Sequence, residues 1–314
     1  IPSFQVIRSV PLNPINHYNN VSHNQNPAQM RTINHSNVPE TNPRLFRTWW
    51  ASLLTIAMVA LSFATGTVSA QSTANYTFAT GADASLALDM NANAVDMTTG
   101  TTSLVASGSD QGVSSVTNIG FPFFLNGLPY TQFTVSANGV MQLGSTSVSS
   151  TTYVASGGST TSPKLGALTA DMITASSADG GGVTSKVVGT APNRTLVVQW
   201  VDYVYWLNSS PAATWQIRLY ESTGVIEYVY GSMSVGATAY SSGYTTGFST
   251  GTAANTLASV TTSANTNSTT AFATNSYTAN TAIANLNSAA NGSRRYYRYT
   301  PPNKIAVGFT SPYS

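Results

Sequence analysis

No cysteine occurs among the 314 residues, and the three histidines, His17, His23 and His35, all fall near the start of the chain. Beyond residue 70 the chain therefore lacks the strongest natural nucleophile, the commonest general base and the commonest metal ligand. Ser-His-Asp, Cys-His, His-zinc and disulfide chemistry are excluded there. Charge is scarce as well: only 7% of residues are charged, where a globular protein typically carries about 25%. After residue 70 the only glutamates are Glu221 and Glu227. What remains is the composition of a surface rather than of a catalyst.

The histidines precede a segment with the three parts of a secretion signal. Arg44 and Arg47 give a positive start, Trp49 to Ala64 is almost wholly apolar, and Val68-Ser69-Ala70 offers the small-x-small pattern of a cleavage site. A bilayer-spanning anchor needs about 20 apolar residues; this run is shorter, and Thr65, Gly66, Thr67 and Ser69 weaken its end. The sequence thus predicts a polar, disordered leader over 1–44, a signal peptide over 45–70 and an exported domain over 71–300. Residues 301–314 read as a Pro-containing linker or truncated C-terminus. Met30 offers an alternative translation start.

Net charge changes once the leader is set aside. Residues 1–70 hold Arg8, Arg31, Arg44, Arg47 and Glu40, so the remaining 244 carry 8 basic and 9 acidic side chains. No basic stripe is left, which argues against nucleic acid as a partner. A domain of this length buries enough apolar surface without disulfides.

Short apolar or alternating runs separated by Gly, Asn and Pro predict an all-β domain, an antiparallel β-sandwich or jelly roll. Predicted strands are 76–79, 101–106, 121–124, 132–136, 140–143, 183–188, 195–205, 214–220, 225–230, 244–248 and 295–300. Only 281–290 has a weak helical character. Asn138-Gly139 between Phe133/Val135 and Met141/Leu143 is a strong hairpin signal. A second hairpin runs from Trp215 to Tyr230. Pairing Leu219 with Ile226, Ile217 with Tyr228 and Trp215 with Tyr230 on one face places Arg218 opposite Glu227 on the other. Apolar and charge matching select the same register. On this reading Arg218→Glu costs roughly 0.5–1 kcal/mol and Glu227→Arg restores most of it.

Two blocks also carry a resemblance. The first is Asn118-Ile119-Gly120-Phe121-Pro122-Phe123-Phe124 with Tyr130–Gly139 and Met141–Gly144. The second is Pro192–Trp200 with Trp215–Glu221 and Gly224–Gly231. In order and spacing they resemble a secreted β-sandwich module frequent in Bacteroidetes surface proteins and distantly similar to the NIDO domain of nidogen-like proteins. The resemblance implies a non-catalytic part of a secreted or adhesive protein. Ser109-Asp110-Gln111 and the segment from Pro163 to Met172, with Asp171, each keep one acid where relatives often show a pair. A calcium role tied to those pairs is unsupported.

Other chemical candidates are weaker than their plain alternatives. Asp89-Met90-Asn91-Ala92-Asn93 and Asp96 alternate oxygen ligands, but the glycine and closing glutamate of a calcium loop are missing; a polar loop is the better reading, and no metal or other cofactor is implied. Glycosidases use two carboxylates, yet Glu227 has Arg218 as a partner and Glu221 sits at a turn. Asp171 and Asp202 are the aspartates on which a hydrolase reading would have to lean. Aromatic residues are the one rich resource: Trp215, Tyr228 and Tyr230 fall inside the sandwich by alternation, whereas Tyr203, Tyr205 and Trp206 are candidates for stacking on a sugar. The near-uncharged Ser/Thr/Ala/Asn tracts at 145–161 and 250–278 read as surface that packs readily against like surfaces.

These features together point to an exported, non-enzymatic structural or adhesive β-sandwich at the cell surface or in extracellular matrix. Its expected partners are copies of itself or other surface proteins, and it meets a membrane only during export. The alternative is a carbohydrate-binding module. Sequencing the N-terminus of secreted material is expected to give Gln71; recovery of residues 1–70 on the extracellular protein contradicts the cleavage.

Overall fold

The computed structural model describes residues 72–154, 162–203, 212–233, 243–250, 256–276, 285–286 and 294–302. The leader and signal segments, Tyr205, Trp206 and most of 281–290 lie outside the described residues. The described residues fall in one compact unit and are all-β.

Two antiparallel sheets make the sandwich. The first runs β1 (Thr77–Ala84), β16 (Arg294–Thr300), β11 (Ile226–Tyr230), β10 (Ala213–Tyr220), β9 (Thr195–Tyr203), β8 (Gly182–Val188) and β2 (Thr102–Val105), with the two-residue β7 (Ile173–Thr174) also on β9. The second runs β14 (Thr266–Ser268), β13 (Leu257–Thr261), β12 (Gly243–Ser249), β6 (Lys164–Thr169), β5 (Met141–Leu143), β4 (Leu128–Val135) and β3 (Thr117–Leu125), with β15 (Asn275–Ser276) beside β12.

Period-two alternation decides what lies between the sheets. From β3 it takes Ile119, Phe121, Phe123 and Leu125, and from β9 Leu196, Val198 and Trp200. From β10 and β11 it takes Trp215, Ile217, Leu219, Ile226, Tyr228 and Tyr230. Trp200 and Trp215, paired across β9 and β10, stack with centroids 6.2 Å apart and planes 7° from parallel.

Both expected hairpins form, the second in the expected register. Phe133 faces Leu143 and Val135 faces Met141; Trp215, Ile217, Arg218 and Leu219 face Tyr230, Tyr228, Glu227 and Ile226. The first turn needs its glycine twice over. Gly139 has φ +78°, and a Cβ there would lie 1.9 Å from the Leu168 carbonyl oxygen. Asn138 is buried and does more than turn the chain: its amide donates to the Ser150 carbonyl and accepts from the Met172 N–H, at 2.7 and 2.8 Å.

The two polar tracts differ from their expected role as free surface. Within 250–278 the chain forms β13, β14 and β15, and Ala258, Val260 and Thr262 are buried. Small residues alternate there too, but no bulky side chain marks the period. Residues 145–150 cover the outer side of β4 and β5, where Val148 is buried and its N–H donates to the Thr134 hydroxyl. β6 is likewise absent from the sequence reading, because Leu165, Gly166, Ala167 and Leu168 are all buried and show no alternation.

Tyrosine hydroxyls tie one sheet to the other. Tyr228 and Tyr230 on β11 donate to the carbonyls of Gly247 on β12 and Ala167 on β6, both at 2.6 Å. Tyr297 and Tyr299 on β16 donate to Asn265 and Asn267, at 2.7 and 3.2 Å. Each ring spans an apolar interior while its polar tip finds an acceptor on the far side. The Ala167 carbonyl also accepts from the Thr246 hydroxyl. Tyr228→Phe is therefore expected to cost about 1–3 kcal/mol, and Tyr230→Phe less, because Thr246 still serves Ala167. Urea denaturation of both variants reads the difference; equal losses contradict it.

Candidate functional site

The outward face of the first sheet carries Arg218, Glu227 and Arg298, and a loop covers them. Strand register sets Arg298, Glu227 and Arg218 side by side on β16, β11 and β10. One row along, Gln216 and Gln199 face each other on β10 and β9. Over them folds a strap formed by residues 85–96, closed on itself by a Leu88–Ala94 bridge and by the Val95 N–H donating to the Ala87 carbonyl.

Arg218 sits at the centre with 1% exposure. Its guanidinium donates to the carbonyls of Ser85, Leu86 and Leu88 in the strap, at 2.7, 3.2 and 2.9 Å. It also donates twice to Gln216 Oε1, at 2.9 and 2.6 Å, and to Glu227 Oε2 at 3.4 Å. Glu227 takes two further bonds on Oε1 from Arg298, at 3.1 and 2.6 Å, and one on Oε2 from the Tyr220 hydroxyl at 2.7 Å. Gln216 donates to Gln199 Oε1 at 2.8 Å. Burial first, then the neighbouring Glu227 carboxylate, pushes the Tyr220 phenol far above its ordinary range.

Asp89 fixes the strap from its own side. Oδ1 accepts from the N–H groups of Asn91 and Asn93, both at 2.8 Å, while Oδ2 accepts from Asn93 Nδ2 and, on β9, the Thr195 hydroxyl at 2.7 Å. The alternating oxygens that resemble a calcium loop are thus spent on turning the chain and docking it, the Asx-turn use of such residues. Beside the strap lies a shallow cavity of about 220 Å³, walled by Leu86, Val95 and Met97 and floored by Gln199 and Gln216.

Three further acids are engaged in similar ways. Glu221, after β10, is held bidentately by Arg194, whose hydrogen bonds keep its carboxyl below the usual range. Hydrogen bonds from Thr98 and Thr99 hold Asp96 low, and those from Ser176 and Tyr203 hold Asp179 low. Asp171 is raised by partial burial and by Asp110 nearby, so the structure brings together the two lone acids that the sequence holds 61 positions apart. Asp202 stands apart, fully buried and without a partner.

The family model described as NIDO related matches residues 66–301. The chain belongs to the NIDO-related family. No curated protein and no solved structure matches it. NIDO-related domains are generally non-enzymatic and of an extracellular type, and among the described residues no helix is long and apolar enough to cross a membrane.

In this NIDO-related domain only Tyr203 of the tentative sugar-stacking set lies among the described residues. Tyr203 is 8% exposed, and its hydroxyl donates to Asp179 while accepting from the Ser176 N–H at 3.1 Å. It fastens a turn to the sheet. Tyr205 and Trp206 lie outside the described residues.

The Arg218–Glu227 pairing stands, but its setting corrects the expected energetics. An exposed pair costs little to invert; this one is enclosed, shares Glu227 with Arg298, and surrounds position 218 with carbonyl oxygens. Nothing local in the sequence marks the docking of the strap above it. Arg218→Glu is now expected to cost at least about 3–5 kcal/mol, the range for stripping one partner from a buried ion pair. Glu227→Arg should fail to rescue it fully, since a glutamate at 218 still faces the strap carbonyls and an arginine at 227 faces Arg298. A double-mutant cycle by urea denaturation decides; full recovery in the double variant contradicts the enclosed network.

Proposed function

We propose that the chain is an exported, non-enzymatic structural or adhesive module, acting through contacts with copies of itself or with other surface proteins outside the cell. The observation that carries this reading is that, among the described residues, both glutamates and the arginines facing them are spent on internal bonding. Arg218, Glu227 and Arg298 lock the strap, Arg194 holds Glu221, and Lys186 donates to the carbonyls of Asp96 and Thr99. A hydrolase on two carboxylates needs acids free to exchange protons, and both glutamates here are held by arginines. Export would proceed through the segment at 45–70, with Gln71 as the mature N-terminus.

The exterior left over is lightly charged and rich in small hydroxyl and amide side chains. Such a surface offers little long-range repulsion to a neighbour. Leu88 and Met90 on the strap and Leu128 at the β3–β4 turn add exposed apolar points. Sugar stacking, the alternative reading, is left with Tyr205 and Trp206.

Beads coated with the full chain are expected to cluster with one another or with cell surfaces. Because few charges are involved, clustering should change little between about 0.01 M and 1 M salt, although the Debye length shrinks about tenfold over that range. Dispersed beads together with turnover of a glycosidase, esterase or protease substrate, lost on Asp171→Asn, would overturn the proposal. Glycan-array binding abolished by Trp206→Ala would favour the sugar reading instead.

A further inference from the structure

One carboxyl group in the interior is answered by nothing. The alternation that turns Leu196, Val198 and Trp200 inward does the same to Asp202 near the end of β9. It is fully buried, and neither of its oxygens has a hydrogen-bond partner. Its cross-strand neighbours are Ala213 on β10 and Thr174 on β7. The methyl of Ala213 offers nothing, and the Thr174 hydroxyl is already used, donating to the Ala106 carbonyl and accepting from the Ser109 N–H, both at 2.7 Å. Trp215, diagonal to Asp202 on the same face, has an indole N–H that is also unpartnered.

Among the described residues, no cation stands ready on the strands and loops that adjoin it along the sheet. β7 has no ionisable residue, the turn before it carries Asp171, the 106–112 loop carries Asp110, and the short helical turn at 177–179 carries Asp179. Tyr203, next along β9, points the other way, towards Asp179. Arg218, the one charged residue of β10, lies on the covered outer face. A carboxylate enclosed beside the Ala213 methyl and the Trp215 indole loses its hydration and gains no partner; the neutral acid is the form such a site accepts.

We propose that Asp202 is an acid-favouring switch: the domain folds with this carboxyl protonated, and loss of the proton parts β7 from β9 at that end of the sandwich. Burial holds the carboxyl well above the usual range. β7 gives way because it is held by only two residue pairs, Ile173–Tyr203 and Thr174–Asp202, whereas eight pairs join β9 to β10. Its parting also frees the 106–112 loop, whose Gly108 N–H and Ser109 carbonyl bond to Thr174.

The sign of the pH effect follows from which state holds the proton. Below the ordinary aspartate range both folded and unfolded chains are protonated, and Asp202 costs nothing. As pH rises the unfolded chain ionises first, so stability falls until Asp202 titrates in the folded state and is level beyond. Urea denaturation of the full chain and of Asp202→Asn, from about pH 4 to about pH 8, reads this directly. The folding equilibrium constant of the native chain is expected to fall relative to the variant by up to about tenfold per pH unit. Limited proteolysis at the upper end should cut the native chain within 106–112 or 171–180 and spare the variant.

A third measurement needs no variant. The side-chain carboxyl carbon of Asp202, assigned by NMR in the native chain, should keep its protonated shift at pH values where Asp96 and Asp179, both held low by hydrogen bonds, have ionised. Parallel pH profiles for the two chains, a carboxyl carbon titrating near pH 4, or equal proteolysis of both would each overturn the switch.

Discussion

A buried guanidinium needs five hydrogen-bond acceptors, and the outer half of this domain is arranged to supply them. Arg218 draws its acceptors from Glu227 beside it on the sheet, from Gln216 on its own strand, and from three strap carbonyls that would otherwise face solvent. An arginine in the middle of a sheet is costly to enclose. Once enclosed with its acceptors it fixes the path of residues 85–88 and the placement of Glu227, and through Glu227 it positions Arg298 and Tyr220. The strap, four strands of the sheet and the shallow cavity beside them all follow from satisfying that one group.

The inner half solves the same problem with tyrosine. A sandwich core must join two sheets about 10 Å apart, and aliphatic packing alone leaves their relative placement loosely specified. Rings from β11 and β16 fill the interlayer, while their hydroxyls select particular carbonyl and amide oxygens opposite. Phe248 and Tyr299, edge to face at 4.9 Å, pack among them. Both halves thus use polar groups for specificity inside a largely apolar frame. Asp202 is the exception, and it stands at the end where the first sheet is most weakly paired.

Much of this was legible in the sequence where side-chain size varies along a strand. The Trp215–Tyr230 hairpin announced its register because bulky residues alternate with Arg218 and Glu227, and the Asn138-Gly139 hairpin announced itself by its turn. β6 and β13 escaped notice because alanine, glycine, serine and threonine alternate without contrast. The strap escaped for another reason: Asp89, Asn91 and Asn93 reveal a turn, but nothing local says that the turn docks on a row formed by residues 216–227 and 298. The Asp110–Asp171 approach is equally a product of long-range pairing. Tyr203 illustrates the limit of parity arguments, since an outward position on a sheet is still buried when a neighbouring turn folds across it.

Membership of the NIDO-related family and an outer face sealed by its own loop agree on a domain whose arginines and glutamates stabilise rather than react. That sealing is the central claim, and native-state hydrogen exchange at the strap tests it most directly. The amides of Met90, Asn91, Asn93 and Val95, which donate to Tyr220, Asp89 and Ala87, are expected to be protected in the native chain. In Arg218→Met their protection should fall together, while the amides of the β4–β5 hairpin keep theirs. Strap amides that exchange at unprotected rates in the native chain would show that the outer face is open and that the network does not hold it.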